Sequence, residues 1–308
     1  MQSHAVRMIR WILVCCLLTT SVASAQSTTT RQVGHNLYLM STGFEFPETV
    51  NNLVLSGRHG LLLVDTIDAG QYDLFRSGLD QISEQPVEVL INTQWHHDHT
   101  GLNADFVVNE GTDTIIAHWH TGDFLSAAQY LEDLDTTVPA LPAEAQPNAP
   151  VYFGKLLHRS GERILLLSTP PNAHSNTDLV VFFLNSNVVH MGDIYFGDSY
   201  PFIDRGSGGT IEGMIQACKL VMLMVNEHTL VVPSHGPVGD RSALKAYINM
   251  LETVRNRIQT LVDHGLSEQE AVAEEPLADL DAEWGWFFMS GAAFTTLVYR
   301  DLSDLLGS

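Results

Sequence analysis

Short apolar runs alternate with amphipathic ones along most of the chain, and the period of each run separates strand from helix. Residues 52–55 and 61–65 read as strands about the turn Gly57-Arg58-His59-Gly60, and 87–91 reads as a strand buried on both faces. Further strands are expected at 115–117, 164–167, 179–184, 188–191 and 230–232, and helices at 71–82, 123–134, 211–225, 240–264 and 292–306. In the longest helix Leu244, Tyr247, Leu251, Val254, Ile258 and Leu261 recur at spacings of three and four, an apolar stripe made for core packing. The Pro- and Ala-rich stretch 136–150 reads as a surface connection. Strands and helices mixed without a clear linker predict a single α/β domain of layered sheets and helices over 26–308, with a helical extension from about 240 to 308.

The first 25 residues are a different material. Arg7 and Arg10 make a basic start, 11–18 an apolar run and Ala23-Ser24-Ala25 a small-residue site, the pattern of a secretory signal peptide cleaved after Ala25. The apolar run is shorter than the roughly 20 residues that span a bilayer, so no stable membrane anchor is expected. Bulky residues before Cys15 and Cys16 argue against a lipoprotein. The expected location is the periplasm or the medium. Beyond that segment the one thiol is Cys218, in an apolar helical run where it reads as a small buried hydrophobe, so neither a disulfide nor a thiolate metal site is expected.

Charge narrows the partners. Across 308 residues, 15 Lys and Arg stand against 36 Asp and Glu for a net charge of −21, which repels nucleic acid and anionic lipid. No basic patch offsets it: Arg255 and Arg257 share a helical stretch with Glu252 and read as a solvated face. A small-molecule substrate is the remaining partner class.

Histidine changes the picture. Three fall in Trp95-His96-His97-Asp98-His99, in the loop that leaves the carboxyl end of the strand 87–91, where α/β sheets present ligands. His174, in Pro171-Asn172-Ala173-His174-Ser175, and His235, in Pro233-Ser234-His235-Gly236-Pro237, also follow strands, and Asp193 closes His190-Met191-Gly192-Asp193. A lone loop histidine more often faces water or makes a hydrogen bond; the joint pattern is what points to metal. Imidazole and carboxylate without thiolate suit zinc, with iron or manganese less specific alternatives, and Asp193 is placed to bridge two ions. His97 is expected to point away from the metal and His190 to pack beneath it. His118 and His120 form an H-x-H pair at another strand end and read as structural or, for His118, as a residue that supports a metal ligand. Asp65, which closes its strand, reads either as a turn residue or as the group that orients a ligand histidine.

These residues resemble the metallo-β-lactamase superfamily. Its H-x-H-x-D-H run falls on Gln94-Trp95-His96-His97-Asp98-His99, followed by Thr100-Gly101, and its later single ligands fall on His174, Asp193 and His235 in order. The resemblance spans about 36–239, and the stretch 192–209 is similar to a group of exported bacterial β-lactamase-like hydrolases. It implies an αββα four-layer sandwich with two zinc ions at one edge of the sheets. One site would comprise Gln94, His96 and His174, the other Asp98, His99 and His235, with Asp193 as the bridge. Gln94 departs from the family pattern, as in some lactamases of the third subclass. A neutral amide is a poorer ligand than imidazole, so its site is expected to hold metal more weakly. An aspartate at 193 is similar to glyoxalase II, lactonases and phosphodiesterases, whereas lactamases usually carry Cys or Ser there.

The activity implied is hydrolysis of a carbonyl-containing substrate, a β-lactam or similar cyclic amide or ester, with catalytic Asp98 orienting hydroxide and taking its proton. A glyoxalase-like thioesterase or lactonase is the alternative, and a metal-binding periplasmic partner protein of little turnover a further one. Trp95, Tyr200, Phe202, Trp284 and Trp286 are candidates for an apolar mouth, and Arg205 for holding a substrate carboxylate.

Overall fold

The computed structural model describes residues 27–43, 49–131, 135–169 and 172–307, so the expected signal segment lies outside the described residues. In chain order the strands are β1 (Ser27–Gly34), β2 (Leu37–Gly43), β3 (Thr49–Gly57), β4 (Gly60–Val64), β5 (Val87–Ile91), β6 (Thr114–His118) and β7 (Gln129–Leu131). They continue with β8 (Thr136–Val138), β9 (Ala149–Val151), β10 (Gly154–Arg159), β11 (Glu162–Ser168), β12 (Leu179–Phe183), β13 (Val188–His190) and β14 (Leu230–Val232). The helices are α1 (Tyr72–Asp80), α2 (His97–Thr100), α3 (Asn103–Glu110), α4 (Thr121–Leu125), α5 (Ile211–Met224), α6 (Arg241–Asp263), α7 (Glu268–Ala273), α8 (Asp281–Trp284) and α9 (Gly291–Gly307).

Strands β1 to β6 and then β9 form a seven-stranded sheet, antiparallel from β1 to β4 and parallel from β4 onward. Strands β10 to β14 form a five-stranded sheet, antiparallel except for the parallel β13–β14 pair, and β7 and β8 make a separate hairpin. Side-chain alternation then sorts each strand between two cores. Leu53, Leu55, Leu62, Val64 and Ile91 join Ile164, Leu166, Val181 and Phe183 in the core between the sheets. Their sequence neighbours Val54, Leu61, Leu63 and Leu90 instead join Phe75 and Leu79 of α1 and Phe106 of α3. Across the molecule, Val180, Phe182, Val189 and Val231 pack under α5, α6 and α9. The result is the four-layer αββα sandwich, and the apolar runs are continuous because those strands are covered on both faces.

The stripe of α6 packs as expected, except that its last buried member is Val262. The helix starts at Arg241 because the Asp240 carboxylate accepts from the backbone N–H groups of Ser242 and Ala243 at 2.8 and 2.9 Å. The helices beyond 240 are the outer layer of the second sheet. Phe294 of α9 is fully buried there, its ring stacked on Tyr200 with centroids 4.9 Å apart. Phe294→Ala should destabilise the protein by about 3–5 kcal/mol, read as a lower denaturant midpoint with an unchanged slope.

Three expectations are corrected. The helix expected at 123–134 stops at Leu125, and Gln129–Leu131 is a strand paired with β8. The Gln129 side-chain amide donates to the carbonyls of Phe124 and Ala127, which a continuing helix would have used. The stretch 136–150 is not only connection, since it contains β8 and the start of β9, which extends the large sheet by pairing Ala149 with Ile116. Strands β1, β2 and β10 were not expected, because polar residues interrupt their apolar alternation and pairing with neighbours holds them.

Candidate metal centre

The loops that carry the sequence-derived residues all emerge at one edge of the sandwich. Strands β4 and β5 end there with Asp65 and the 92–99 loop, β13 and β14 with Asp193 and His235, and the antiparallel β12 is entered there from the loop that holds His174. Glycine makes the close packing possible. A Cβ on Gly101 would lie 2.6–2.7 Å from backbone atoms of Ile67, Ala69 and His97, so the residue after Thr100 must be glycine for α2 to seat against the loop after β4. Gly192 has φ 57°, and its turn aims Asp193 back across the sheet end toward the 92–99 loop.

Two donor groups form, and they share Asp193. Asp98, His99, Asp193 and His235 make one; His96, His174 and Asp193 make the other, with ligand atoms in each group within 4.8 Å of one another. In the first, His235 Nε2 lies 3.0 Å from Asp98 Oδ2 and 3.6 Å from Asp193 Oδ1, and His99 Nε2 lies 3.2 Å from Asp193 Oδ2. In the second, His174 Nε2 and His96 Nδ1 face each other at 3.3 Å.

The outer ring nitrogens decide what those inner ones can do. His174 Nδ1 donates to the Phe202 carbonyl at 2.9 Å, His96 Nε2 to Asp204 at 2.9 Å and His99 Nδ1 to Asp65 at 3.0 Å. With the outer nitrogens bonded to Phe202 and Asp204, His174 Nε2 and His96 Nδ1 are turned toward one another, an arrangement a cation between them satisfies. Asp193 gives the same answer: its Oδ1 is buried and has no hydrogen-bond partner among the described residues. The residues present therefore fit metal, through nitrogen and oxygen donors only.

The electrostatics agree. Burial pushes His174 down to about 4 against the pull of Asp193, so this imidazole is neutral and available as a ligand. Burial also lowers His99, but the carboxylates of Asp193, Asp98 and Asp65 outweigh it and hold the ring well above its usual value. Burial opposes ionisation of Asp98 too, and His99 and His235 overcome it, keeping the carboxyl well below the ordinary range.

Asp65 does more than orient His99. Its carboxylate also accepts from Thr93 N at 2.7 Å and Thr93 Oγ1 at 2.6 Å, and its backbone sits at φ 60°, a left-handed conformation unusual for a residue with a Cβ. His97 is half exposed beside Asp68 and Asp98 and belongs to neither donor group. His190 lies beneath, with Nε2 3.0 Å from the Asn51 carbonyl.

Other assignments do not stand as expected. Gln94 is near the centre, but its Oε1 accepts from His96 N at 2.7 Å and its amide nitrogen donates to Asp193 Oδ2 at 3.0 Å, so the oxygen is turned away from the donor groups. Trp95 is buried rather than at a mouth, stacked on Phe124 and donating to Ser207 Oγ at 3.1 Å. Tyr200 is core, its hydroxyl 3.1 Å from Asp281 Oδ1. Trp284 is buried in the same core, and Trp286 donates to the Asp198 carbonyl. Phe202 is buried, with its ring centroid 6.2 Å from that of His96 and 5.9 Å from that of His174. Arg205 pairs with Asp304 of α9 and so is not directed at a substrate. His118 touches no ligand histidine; it lines a separate cavity.

Two residues that the sequence did not single out matter here. Asp204 fixes His96, and Asn51 of β3 donates to the carbonyls of Pro233 and Gly236 at 3.1 and 2.8 Å, tying down the loop of His235. Neither lies in a histidine-rich motif, and Asn51 acts from the opposite sheet. A cavity of about 280 Å³ opens onto Asp98 and His235, walled by Thr42, Val50, Asp68 and Phe287. Phe196 covers His235 from the side, its ring stacked at 5.6 Å.

Gln94→His should add a third imidazole to the group holding His96 and His174. The expected result is a roughly 10–100-fold tighter hold on a metal bound by that group, measured by competition with a chelator of known affinity.

A model of the metallo-beta-lactamase superfamily matches residues 46–257. A probable metallo-hydrolase of Methanocaldococcus jannaschii is 22% identical over 204 residues, which is 63% of this chain and 90% of that protein. The alpha subunit of a 2,4-dinitroanisole O-demethylase of Nocardioides is 27% identical over 183 residues, 58% of this chain and only about half (49%) of that subunit. Among solved structures, a metallo-beta-lactamase from Pontibacter korlensis superposes with a TM-score of 0.59 at 17% identity, covering 73% of this chain and 99% of that one. The metallo-beta-lactamase IND-7 superposes with a TM-score of 0.58 at 19% identity, covering 73% and 98%. At these identities the superpositions establish the fold.

Proposed function

This chain belongs to the metallo-beta-lactamase superfamily, and we propose that its metal-dependent hydrolase centre carries two zinc ions and opens a cyclic amide or ester. The observation that carries the reading is Asp193, a buried carboxylate common to both donor groups with one oxygen otherwise unpartnered. Bound ions of this kind lower the pKa of water to about 7 and polarise a carbonyl.

The chain supplies the rest. Asp98 is the carboxylate at the floor of the open cavity, kept ionised by His99 and His235, and is placed to accept a proton from a water molecule entering there. Asp65 and Asp204 hold His99 and His96 in single orientations, so little reorganisation is needed during reaction. Phe287, Val50 and Ile67 make the apolar part of the cavity wall on which a substrate would rest.

A second reading, a glyoxalase-like thioesterase or lactonase, is favoured by the carboxylate at 193 in place of a thiol or hydroxyl. Purified protein reconstituted with zinc and assayed against a β-lactam, a lactone, a thioester and a phosphodiester separates them. Turnover of the β-lactam supports the first reading, and turnover of the thioester or lactone alone supports the second. Two zinc ions bound with no turnover in any arm would leave a metal-binding partner protein. We propose also that the protein is exported, in which case mass spectrometry of the mature form should find Gln26 at its amino terminus.

A further inference from the structure

The H-x-H pair at the end of β6 takes no part in the metal centre, yet it borders a cavity of about 530 Å³, within the size range of small-molecule sites. Strand β6 runs parallel to β5, so its carboxyl end opens on the same edge as the 92–99 loop. Trp119 N donates to the Val151 carbonyl at 3.1 Å, which locks the turn after β6 to the end of β9 and sets Trp119 beside Tyr152. The two rings lie nearly parallel, 22° apart in plane with centroids at 6.0 Å.

The walls have a definite chemistry. Trp119, Tyr152 and Phe153 are 45%, 58% and 88% exposed, an aromatic surface left open to water, and Leu220 of α5 is a further apolar lining residue. Of the polar residues that also line the cavity, two have hydrogen-bonding capacity to offer a ligand. His118 Nδ1 accepts from His120 N at 3.3 Å, and burial pushes the ring down to about 4, so it is neutral and carries its proton on Nε2 as a donor. Asn176 Oδ1 is buried and has no hydrogen-bond partner among the described residues. Among the described residues no Lys or Arg lines the cavity; its remaining titratable groups are Asp178 and His120, whose ring lies against that of Trp119 with centroids 3.4 Å apart.

We propose that this cavity is a second small-molecule site, separate from the metal centre, for a flat, uncharged aromatic compound that bears a hydroxyl or amide group. The ring would lie against Trp119 and Tyr152, where offset stacking favours another aromatic plane over an aliphatic one. The polar substituent would accept from His118 Nε2–H and donate to Asn176 Oδ1. A ligand lacking that substituent leaves the Asn176 oxygen unsatisfied, and a carboxylate in its place meets an acceptor where it needs a donor.

The test follows the intrinsic fluorescence of 2-naphthol during titration of the full-length protein, with hydrolysis playing no part in the readout. The expected result is saturable one-site binding whose affinity changes less than about twofold when metal is removed with a chelator. Trp119→Ala and Tyr152→Ala should each weaken it about tenfold, whereas Trp119→Phe should retain most of it. The anion 2-naphthoate should bind about tenfold less tightly. Because Tyr152 is largely exposed, its alanine variant keeps the test decisive if Trp119→Ala does not fold. Absence of saturation, binding lost with the metal, or binding indifferent to both alanine variants would overturn the proposal. So would a dimer in sedimentation that either substitution dissolves, since the aromatic face would then belong to a second copy.

Discussion

On the two-metal reading proposed above, Asp193→Ala should cost the protein both metal ions and about a thousandfold or more in turnover. The carboxylate belongs to both donor groups, so its removal leaves one group with two imidazoles and the other with two imidazoles and Asp98. It also takes from His99 and His235 the carboxylate that does most to favour their charged forms, leaving Asp98 to face both rings. Lewis-acid stabilisation is worth several kcal/mol, and each ~1.4 kcal/mol is a factor of ten in rate. Elemental analysis after dialysis, beside the hydrolytic assay, checks both halves. A variant that keeps two equivalents of metal would show that Asp193 is not the shared ligand.

Asp98→Asn separates holding metal from using it. The amide keeps the shape of the side chain and one acceptor oxygen, while His99, His235 and Asp193 remain, so at least one metal should stay bound. What is lost is the ionised carboxylate at the floor of the cavity. Turnover should fall by about 10²–10⁴-fold, the usual contribution of a positioned base, with kcat reduced more than KM is raised. An active Asn variant would assign the proton acceptor elsewhere.

The weaker-site expectation shifts its ground in the structure. The Gln94 oxygen is spent on the His96 backbone, so the group of His96 and His174 is short of a donor whether or not an amide is a good ligand. Its metal should therefore leave first on mild chelation, while Asp98, His99, His235 and Asp193 retain theirs.

The αββα order and the metal-bearing edge were legible because both are written in local signals. A strand covered on both faces must be apolar throughout, as 61–64 and 179–183 are, and a ligand loop must follow a strand end, as 92–99 does. Those constraints act over a few residues, so spacing and hydrophobicity alone reveal them. The polar strand β1 and the short strand β7 carry no such signal and take their form from the neighbours they pair with.

Residue type and spacing along the chain were enough to point to imidazole and carboxylate as metal donors and to mark which runs are buried. Which polar and aromatic residues reach the site depends on packing. Tyr200 and Trp95 look like mouth residues in sequence, but Phe294 and Phe124 claim their rings. Arg205 looks like a carboxylate anchor until Asp304, 99 residues away, pairs with it. Asp204 becomes the partner of His96 across 108 residues, and Asn51 secures the loop of His235 from the other sheet. A single polar or aromatic side chain has no period, and its role is set by whichever distant group the packing of the two sheets brings within hydrogen-bond or van der Waals reach.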